Sequence, residues 1–333
     1  MTTWCRFEKD NVTSFGVVEG DTVIAVDGIP WGEHKRTSRA CPLSNVKLKI
    51  PVVPPTFYCV GINYADHIRK MAAKRKTEPV FPKKPDIGYR ANNALIAHEE
   101  NIVKPADAGE AFQYEGELVA VFGKRCRNVS RETALDYVFG WTIGNDVSER
   151  TWQKDDRTLW RAKNADTFKP MGPRIVTGLD PAKMTTIIRV NGRETDRFAT
   201  NNMIFDTATY IAEVSKYCTI EPGDVMWMGT DGVPENIKPG DTVEIEITGI
   251  GVLQQGGGEG INLRCRPRRA KRDPGPINPV VEIRKDPGYG SPPARGRQRE
   301  MPTPHPARLR YRSGSPPAPN KGRGKRERGP AIA

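Results

Sequence analysis

The stretch Gln113-Tyr114-Glu115-Gly116-Glu117-Leu118-Val119-Ala120-Val121 constrains this chain more than any other. The residues after Glu117 are apolar, with β-branched Val119 and Val121 among them, which reads as a buried strand. On a strand, positions two apart leave the same face, with Cα atoms roughly 6–7 Å apart. Glu115 and Glu117 therefore share one face, and Gly116 puts no side chain on the other. Two carboxylates about 4 Å apart repel by about 4 kcal/mol at an effective dielectric near 20. A shared proton, a basic side chain or a metal must offset that repulsion. Asp146 follows the next strand-like run, Tyr137 to Ile143. Three carboxylates at neighbouring strand ends suit a hard divalent ion such as Mg²⁺. The competing reading, a solvated strand face paired with lysines, calls for alternation that the apolar run lacks.

Charge divides the chain. The net charge is +12, but residues from Leu253 onward hold 19 Lys and Arg against 6 Asp and Glu, which leaves the preceding residues near −1. The same segment holds 14 of the 29 prolines. Residues 254–333 are therefore expected to form a disordered basic tail with no packed core. Such a tail could bind phosphate polyanions weakly, which makes nucleic-acid binding a remote alternative function. The six cysteines form no C-x-x-C pair and no zinc spacing. Buried reduced thiols, the absence of a secretory leader at the first residues, and the lack of a bilayer-length apolar run point to a cytoplasmic protein without membrane attachment.

The remaining segments read as strand-rich with few helices. Residues 1–52 look like a small β-rich domain, with a hairpin signal at Glu19-Gly20-Asp21. A proline junction leads to a larger segment, 53–253. Within it, Thr56 to Val60 reads as a strand and Ala65 to Lys74 as a short helix. Ser130 is expected to cap a helix over Arg131 to Val138 that stops at Gly140. Glu149 to Arg161 reads as a helix or ordered loop over a site. Asn191-Gly192 marks a hairpin, Asp206 caps a helix from Thr207 to Tyr217, and two Pro-Gly-Asp turns each precede a strand. The fold class is α+β.

Several segments, taken together, resemble the fumarylacetoacetate hydrolase family. They are Val60 to His67, Tyr114 to Leu118, Asn145 to Arg150, Asp166 to Pro173, Pro222-Gly223-Asp224 and Gly229-Thr230. The branch most similar is that of acylpyruvate hydrolases and 2-hydroxyhepta-2,4-diene-1,7-dioate isomerases. The resemblance implies a mixed β-sheet roll or pseudo-barrel behind a small N-terminal domain, in a homodimer. It implies Mg²⁺, or Mn²⁺ or Ca²⁺, on Glu115, Glu117 and Asp146, agreeing with the reading of the residues themselves. A 2-oxo acid would fill open coordination positions, and the ion would act as a Lewis acid on its keto group.

By the same resemblance Lys163 is an active-site lysine beside the developing enolate. Arg150 and Gln153 contact substrate, and Thr230 binds its carboxylate. His67 is the candidate general base. Two positions depart from the family pattern. Lys70 stands where hydrolytic relatives of this layout often carry a glutamate, and Asp231 stands where many carry proline. The leading expectation is C–C hydrolysis of an acylpyruvate-like 2-oxo acid. Decarboxylation or isomerisation of a 2-hydroxymuconate-type diacid or oxaloacetate is the alternative, since it needs less of a water-activating dyad.

Overall fold

The computed structural model describes residues 1–256. The basic segment from 257 onward, with the disorder and phosphate binding expected of it, lies outside the described residues.

The chain opens with antiparallel strands β1 (Thr3–Lys9), β2 (Val12–Glu19), β3 (Thr22–Gly28) and β4 (His34–Pro42), plus a short strand β5 (Lys47–Leu48) beside β1. The Glu19-Gly20-Asp21 turn is a hairpin, with Gly20 at φ 56° and Glu19 paired to Thr22. Phe7, Val18, Val23 and Ala25 belong to a small core of this layer. The layer is not a separate sheet, because Thr3 and Trp4 pair with Val176 and Ile175 of a later strand.

Beyond the proline junction come β6 (Phe57–Val60), α1 (Ala65–Arg75), β7 (Ile87–Tyr89), β8 (Leu95–Ile96), β9 (Phe112–Gln113), β10 (Gly116–Phe122) and β11 (Val138–Asn145). Every residue of β10 is buried. Leu118, Ala120 and Phe122 enter the largest core, while Val119 and Val121 enter a second one with Trp4, Met171 and Trp227. A strand covered on both faces has no solvent side, so its sequence runs apolar instead of alternating.

The helix expected over Arg131 to Val138 does not form. A single 3₁₀ turn spans Ala134–Tyr137. Ser130 Oγ meets Thr133 Oγ1 at 3.3 Å and caps no backbone N–H. Gly140 lies inside β11, where a Cβ would stand 2.8 Å from Ile175 Cγ2. Two turns of helix are marginal without a packed face, and the β-branched and aromatic residues at its end take the strand instead.

The last elements are β12 (Ser148–Glu149), α2 (Trp160–Asn164), β13 (Lys169–Val176), β14 (Thr185–Val190), β15 (Arg193–Ala199), α3 (Thr207–Tyr217), β16 (Val225–Trp227), β17 (Val243–Ile247) and β18 (Gly251–Gln255). Asn191 and Gly192 take φ of 53° and 76°, the two positive values that a type I′ hairpin turn requires. Asp206 caps α3 by accepting the Thr209 N–H at 2.8 Å. The segment from Glu149 to Arg161 resolves into a 3₁₀ turn at Trp152–Lys154 and the start of α2.

The main sheet runs β4-β3-β2-β1-β13-β11-β10-β16-β6-β7, with β5 on β1 and β8 on β13. It is mixed, since β6 lies parallel to β16 and β8 parallel to β13. A second sheet, β15-β14-β17-β18, packs its Ile188 and Ile245 into the largest core. The two sheets approach closely at Gly116, where a Cβ would sit 2.9 Å from Ile188 Cδ1 and 3.0 Å from Ile245 Cγ2. The result is the strand-rich α+β roll expected from the sequence.

Candidate metal centre and active site

The neighbour order β11-β10-β16-β6 explains why distant residues meet. β6 and β16 are parallel and end on the same side, and β10 is antiparallel to β16, so it starts there. Four pieces of chain therefore converge: the start of β10 and the exits of β11, β16 and β6. Asn63, buried, ties the last two together. Its side-chain amide reaches the Met228 carbonyl at 3.3 Å and the Phe205 carbonyl at 3.0 Å.

Glu115, Glu117 and Asp146 are all buried, and one oxygen of each lies within 4.8 Å of the others. Glu117 has the parity of Val119 and Val121, so it leaves the face opposite Gly116, as the period of two requires. The ladder between β10 and β11 ends with Gly116 opposite Asn145. One residue further, the Asp146 N–H donates to the Glu115 carbonyl at 2.9 Å, and Asn145 Oδ1 accepts the Glu115 N–H at 3.0 Å.

Four cations surround the carboxylates. Asp146 takes Arg90 through Nη2 at 2.9 Å and Nε at 3.2 Å, Lys163 at 2.8 Å and Lys169 at 2.6 Å. Glu115 pairs with Lys163 through Oε2 and with Arg150 through Oε1. Burial works to raise the Asp146 carboxyl, but Arg90, Lys163 and Lys169 outweigh it and hold it well below its ordinary range. At Glu115 burial is likewise overridden, by Arg150 and Lys163, and the carboxyl is lowered.

Glu117 differs. Its Oε2 accepts one backbone N–H, from Gly229 at 2.8 Å, and among the described residues it has no ion pair. Burial, then the charges of Asp146 and Glu115, push its carboxyl up to about 8.

Each supporting side chain has its own anchor. Lys163 sits on α2, whose first turn is capped by the buried Asp156. That carboxylate accepts N–H groups from Trp160 at 3.1 Å, Arg161 at 2.8 Å and Ala162 at 2.8 Å. Lys169 is fully buried, donates to the carbonyls of Val147 at 3.0 Å and Phe168 at 2.9 Å, and is lowered to about 8, chiefly by burial. Arg150 donates to Gln113 and Gln153 at 2.9 Å each. Arg150 and Gln153 thus stand together beside Glu115. Thr230 directly follows Gly229, and its Oγ1 accepts the Gly232 N–H at 3.4 Å.

His67 lies in the first turn of α1, half-buried. Its Nδ1 is 2.8 Å from the Gly232 carbonyl. A carbonyl only accepts, so Nδ1 carries the hydrogen and the neutral ring keeps its lone pair on Nε2. Asp66 pairs outward with Arg69 at 2.6 Å, and Glu100 bonds the Ala97 N–H at 2.9 Å. Neither of these contacts involves the imidazole.

The residues present fit a divalent ion. Three buried carboxylates converge, and burial, then the charges of the other two, raises the carboxyl of the least compensated one. The buried Tyr64 hydroxyl has no partner among the described residues, and burial, then the charges of Glu117 and Asp231, raise its pKa. A hard cation would supply the charge that Glu117 lacks.

Sequence reasoning assigned no part to Arg90, Lys169, Asp156 or Asn145. Lys169 and Asn145 stand inside quoted motifs, where a role could have been asked of them. Arg90 and Asp156 carry no local signal, because each acts through a contact across the fold. The described residues contain no helix long and apolar enough to cross a membrane. Cys5, Cys41, Cys59 and Cys126 are buried free thiols.

The family model for the C-terminal domain of fumarylacetoacetate (FAA) hydrolase matches residues 56–256, and a model described as Rv2993c-like, N-terminal matches residues 3–51. The chain therefore belongs to the fumarylacetoacetate hydrolase family, and it is an enzyme of that family. It is 37% identical to oxaloacetate tautomerase FAHD2A, mitochondrial, of Bos taurus, over 64% of this chain and 69% of that protein. The crystal structure of 2-hydroxyhepta-2,4-diene-1,7-dioate isomerase from Mycobacterium marinum superposes with a TM-score of 0.69 at 35% identity, covering 77% of this chain and 97% of that one. Maleylpyruvate hydrolase from Sphingobium sp. SYK-6, in complex with manganese(II) and pyruvate, gives 0.61 at 25% identity, covering 77% and 100%.

Proposed function

We propose that this protein catalyses enol–keto proton transfer on a small 2-oxo diacid, of the oxaloacetate or 2-hydroxymuconate type, with Mg²⁺ or Mn²⁺ on Glu115, Glu117 and Asp146. The observation that carries this reading is the setting of His67. Its Nδ1–H is turned to a backbone carbonyl, so Nε2 is a bare base, and among the described residues the ring has no carboxylate partner to strengthen it for water activation. The relatives named as an oxaloacetate tautomerase and a dienedioate isomerase, at 37% and 35% identity, support the same reaction class.

A bound divalent ion would supply Lewis-acid polarisation of the keto oxygen. The chain's own residues do the rest. His67 Nε2 removes a proton from the carbon next to the keto group, and the C–H electron pair forms the new double bond. The Lys163 ammonium, held by Glu115 and Asp146, stabilises the charge that develops on the oxygen and can protonate it. Arg150, with Gln153, and Thr230 bind carboxylates of the substrate. Four cations against three carboxylates leave the site positive before any ion binds, which favours a dianionic substrate over a monoanionic one.

C–C hydrolysis of an acylpyruvate is the second reading, supported by the maleylpyruvate hydrolase neighbour with its manganese and pyruvate. It uses the same metal ligands, with His67 acting on water. A turnover screen on the full chain separates the two. Oxaloacetate, 2-hydroxymuconate-type diacids and acylpyruvates would be offered with Mg²⁺ or Mn²⁺ and with chelator. Chelator-sensitive tautomerisation or isomerisation without cleavage supports the first reading. Cleavage of acylpyruvates as the fastest reaction overturns it.

A further inference from the structure

Between Gly229 and Val233 a single short segment touches both Glu117 and His67. Gly229 donates its N–H to Glu117, Thr230 follows, and Gly232 gives its carbonyl to His67 Nδ1. The residue between, Asp231, is 2% exposed. Its Oδ1 accepts the backbone N–H of His67 at 2.8 Å.

That bond is a helix cap supplied from another part of the chain. α1 begins at Ala65 with Tyr64 as its cap residue, and Tyr64 makes no capping hydrogen bond. Its first-turn N–H groups therefore need an outside acceptor. Asp231 accepts the one on His67, so the residue is held at both ends: main chain by Asp231, ring by Gly232. The carboxylate also sits at the positive end of α1, where a negative charge is favoured. Burial raises the Asp231 carboxyl, and the Lys70 ammonium, one turn along α1 from His67, pulls the other way.

The segment is itself fixed. Asp196 Oδ2 accepts the Val233 N–H at 3.0 Å, and a Cβ on Gly232 would stand 2.3 Å from that same oxygen. The Gly232 carbonyl therefore sits in a segment hydrogen-bonded to, and packed closely against, Asp196.

We infer that Asp231 is a positioning residue: it docks the first turn of α1 so that the Gly232 carbonyl fixes His67 in the tautomer with Nε2 free. This rests on His67 acting as the base, as set out above. Asp231 touches no reacting atom in this account; it acts through His67.

The test compares Asp231→Ala with Asp231→Asn in the full, metal-loaded chain. Asparagine keeps an oxygen that can accept the His67 N–H, and alanine does not. The expected result for Asp231→Ala is a kcat about ten- to a hundredfold lower, with KM and Mn²⁺ affinity changed by less than about twofold. Asp231→Asn should recover kcat to within about threefold of the parent. The backbone amide of His67 should exchange faster in Asp231→Ala and not in Asp231→Asn.

A second measurement needs no Asp231 variant to fold. The chain has four histidines, so ¹⁵N-labelled imidazoles can be assigned, His67 by its loss in His67→Gln. The ring should show hydrogen on Nδ1 and a bare Nε2. If no 2-oxo acid is turned over, the reaction assignment fails while amide exchange and ring tautomer still decide the role of Asp231. The inference is overturned by hydrogen on Nε2 in the parent, by equal losses in both variants, or by Asp231→Ala with parental kcat and exchange.

Discussion

Gly229 donates its backbone N–H to the Glu117 carboxylate at 2.8 Å. This bond joins β10, which carries Glu117 and directly follows Glu115, to the loop that carries Thr230 and holds His67. It is also the one hydrogen bond the Glu117 side chain makes among the described residues, which leaves that carboxylate the least neutralised of the three.

A pH dependence follows. The folded chain keeps a proton on Glu117 up to about 8, whereas an unburied glutamate loses it near 4.5. Between those values the folded state binds a proton that the unfolded state has released, so the metal-free protein should lose stability as pH rises through that window. A cation must displace the same proton, so metal affinity should rise by up to about tenfold per pH unit below 8. Thermal denaturation without metal and metal titrations at several pH values check both. A flat affinity over that range would contradict the assignment of the raised carboxyl.

Gly116→Ala should destabilise the protein by about 1–3 kcal/mol. The new methyl group would meet Ile188 and Ile245 across the sheet interface at 2.9 Å and 3.0 Å. Chemical denaturation measures this directly, and an unchanged midpoint would mean the two sheets separate more easily than their packing implies.

Asp156→Ala removes the acceptor for three N–H groups of α2. Loss of such a cap costs about 0.5–2 kcal/mol. Lys163 lies one turn further along, so turnover should fall together with stability. Metal binding should persist, because the three carboxylates lie on other elements. Full turnover in a variant with a frayed α2 would separate Lys163 from the chemistry.

Much of this was legible in the sequence where the signal is local. The Asn191-Gly192 hairpin, the Asp206 cap and the buried apolar run of β10 each depend on residues a few positions apart. Ser130 misled because a good cap residue cannot make a helix from eight residues whose end prefers a strand. The contacts that set the site's electrostatics were not legible. Arg90 reaches Asp146 across 56 residues and Asp231 reaches His67 across 164. Pairs so distant are joined only by sheet order, and no spacing in the chain encodes that. Lys70 and Asp231 did register as departures from the family pattern. What the fold adds is their relationship: the carboxylate that steadies His67 comes from Asp231 on the neighbouring loop.

If the three buried carboxylates hold a divalent ion, a titration of Mn²⁺ into the parent protein and into Glu117→Gln will show it. Glutamine can still accept the Gly229 N–H, so the variant should fold with a melting temperature no lower than that of the metal-free parent. The parent should bind one Mn²⁺ tightly per chain, and Glu117→Gln should lose that binding. Equal binding by a folded Glu117→Gln, or no binding by the parent, would contradict it.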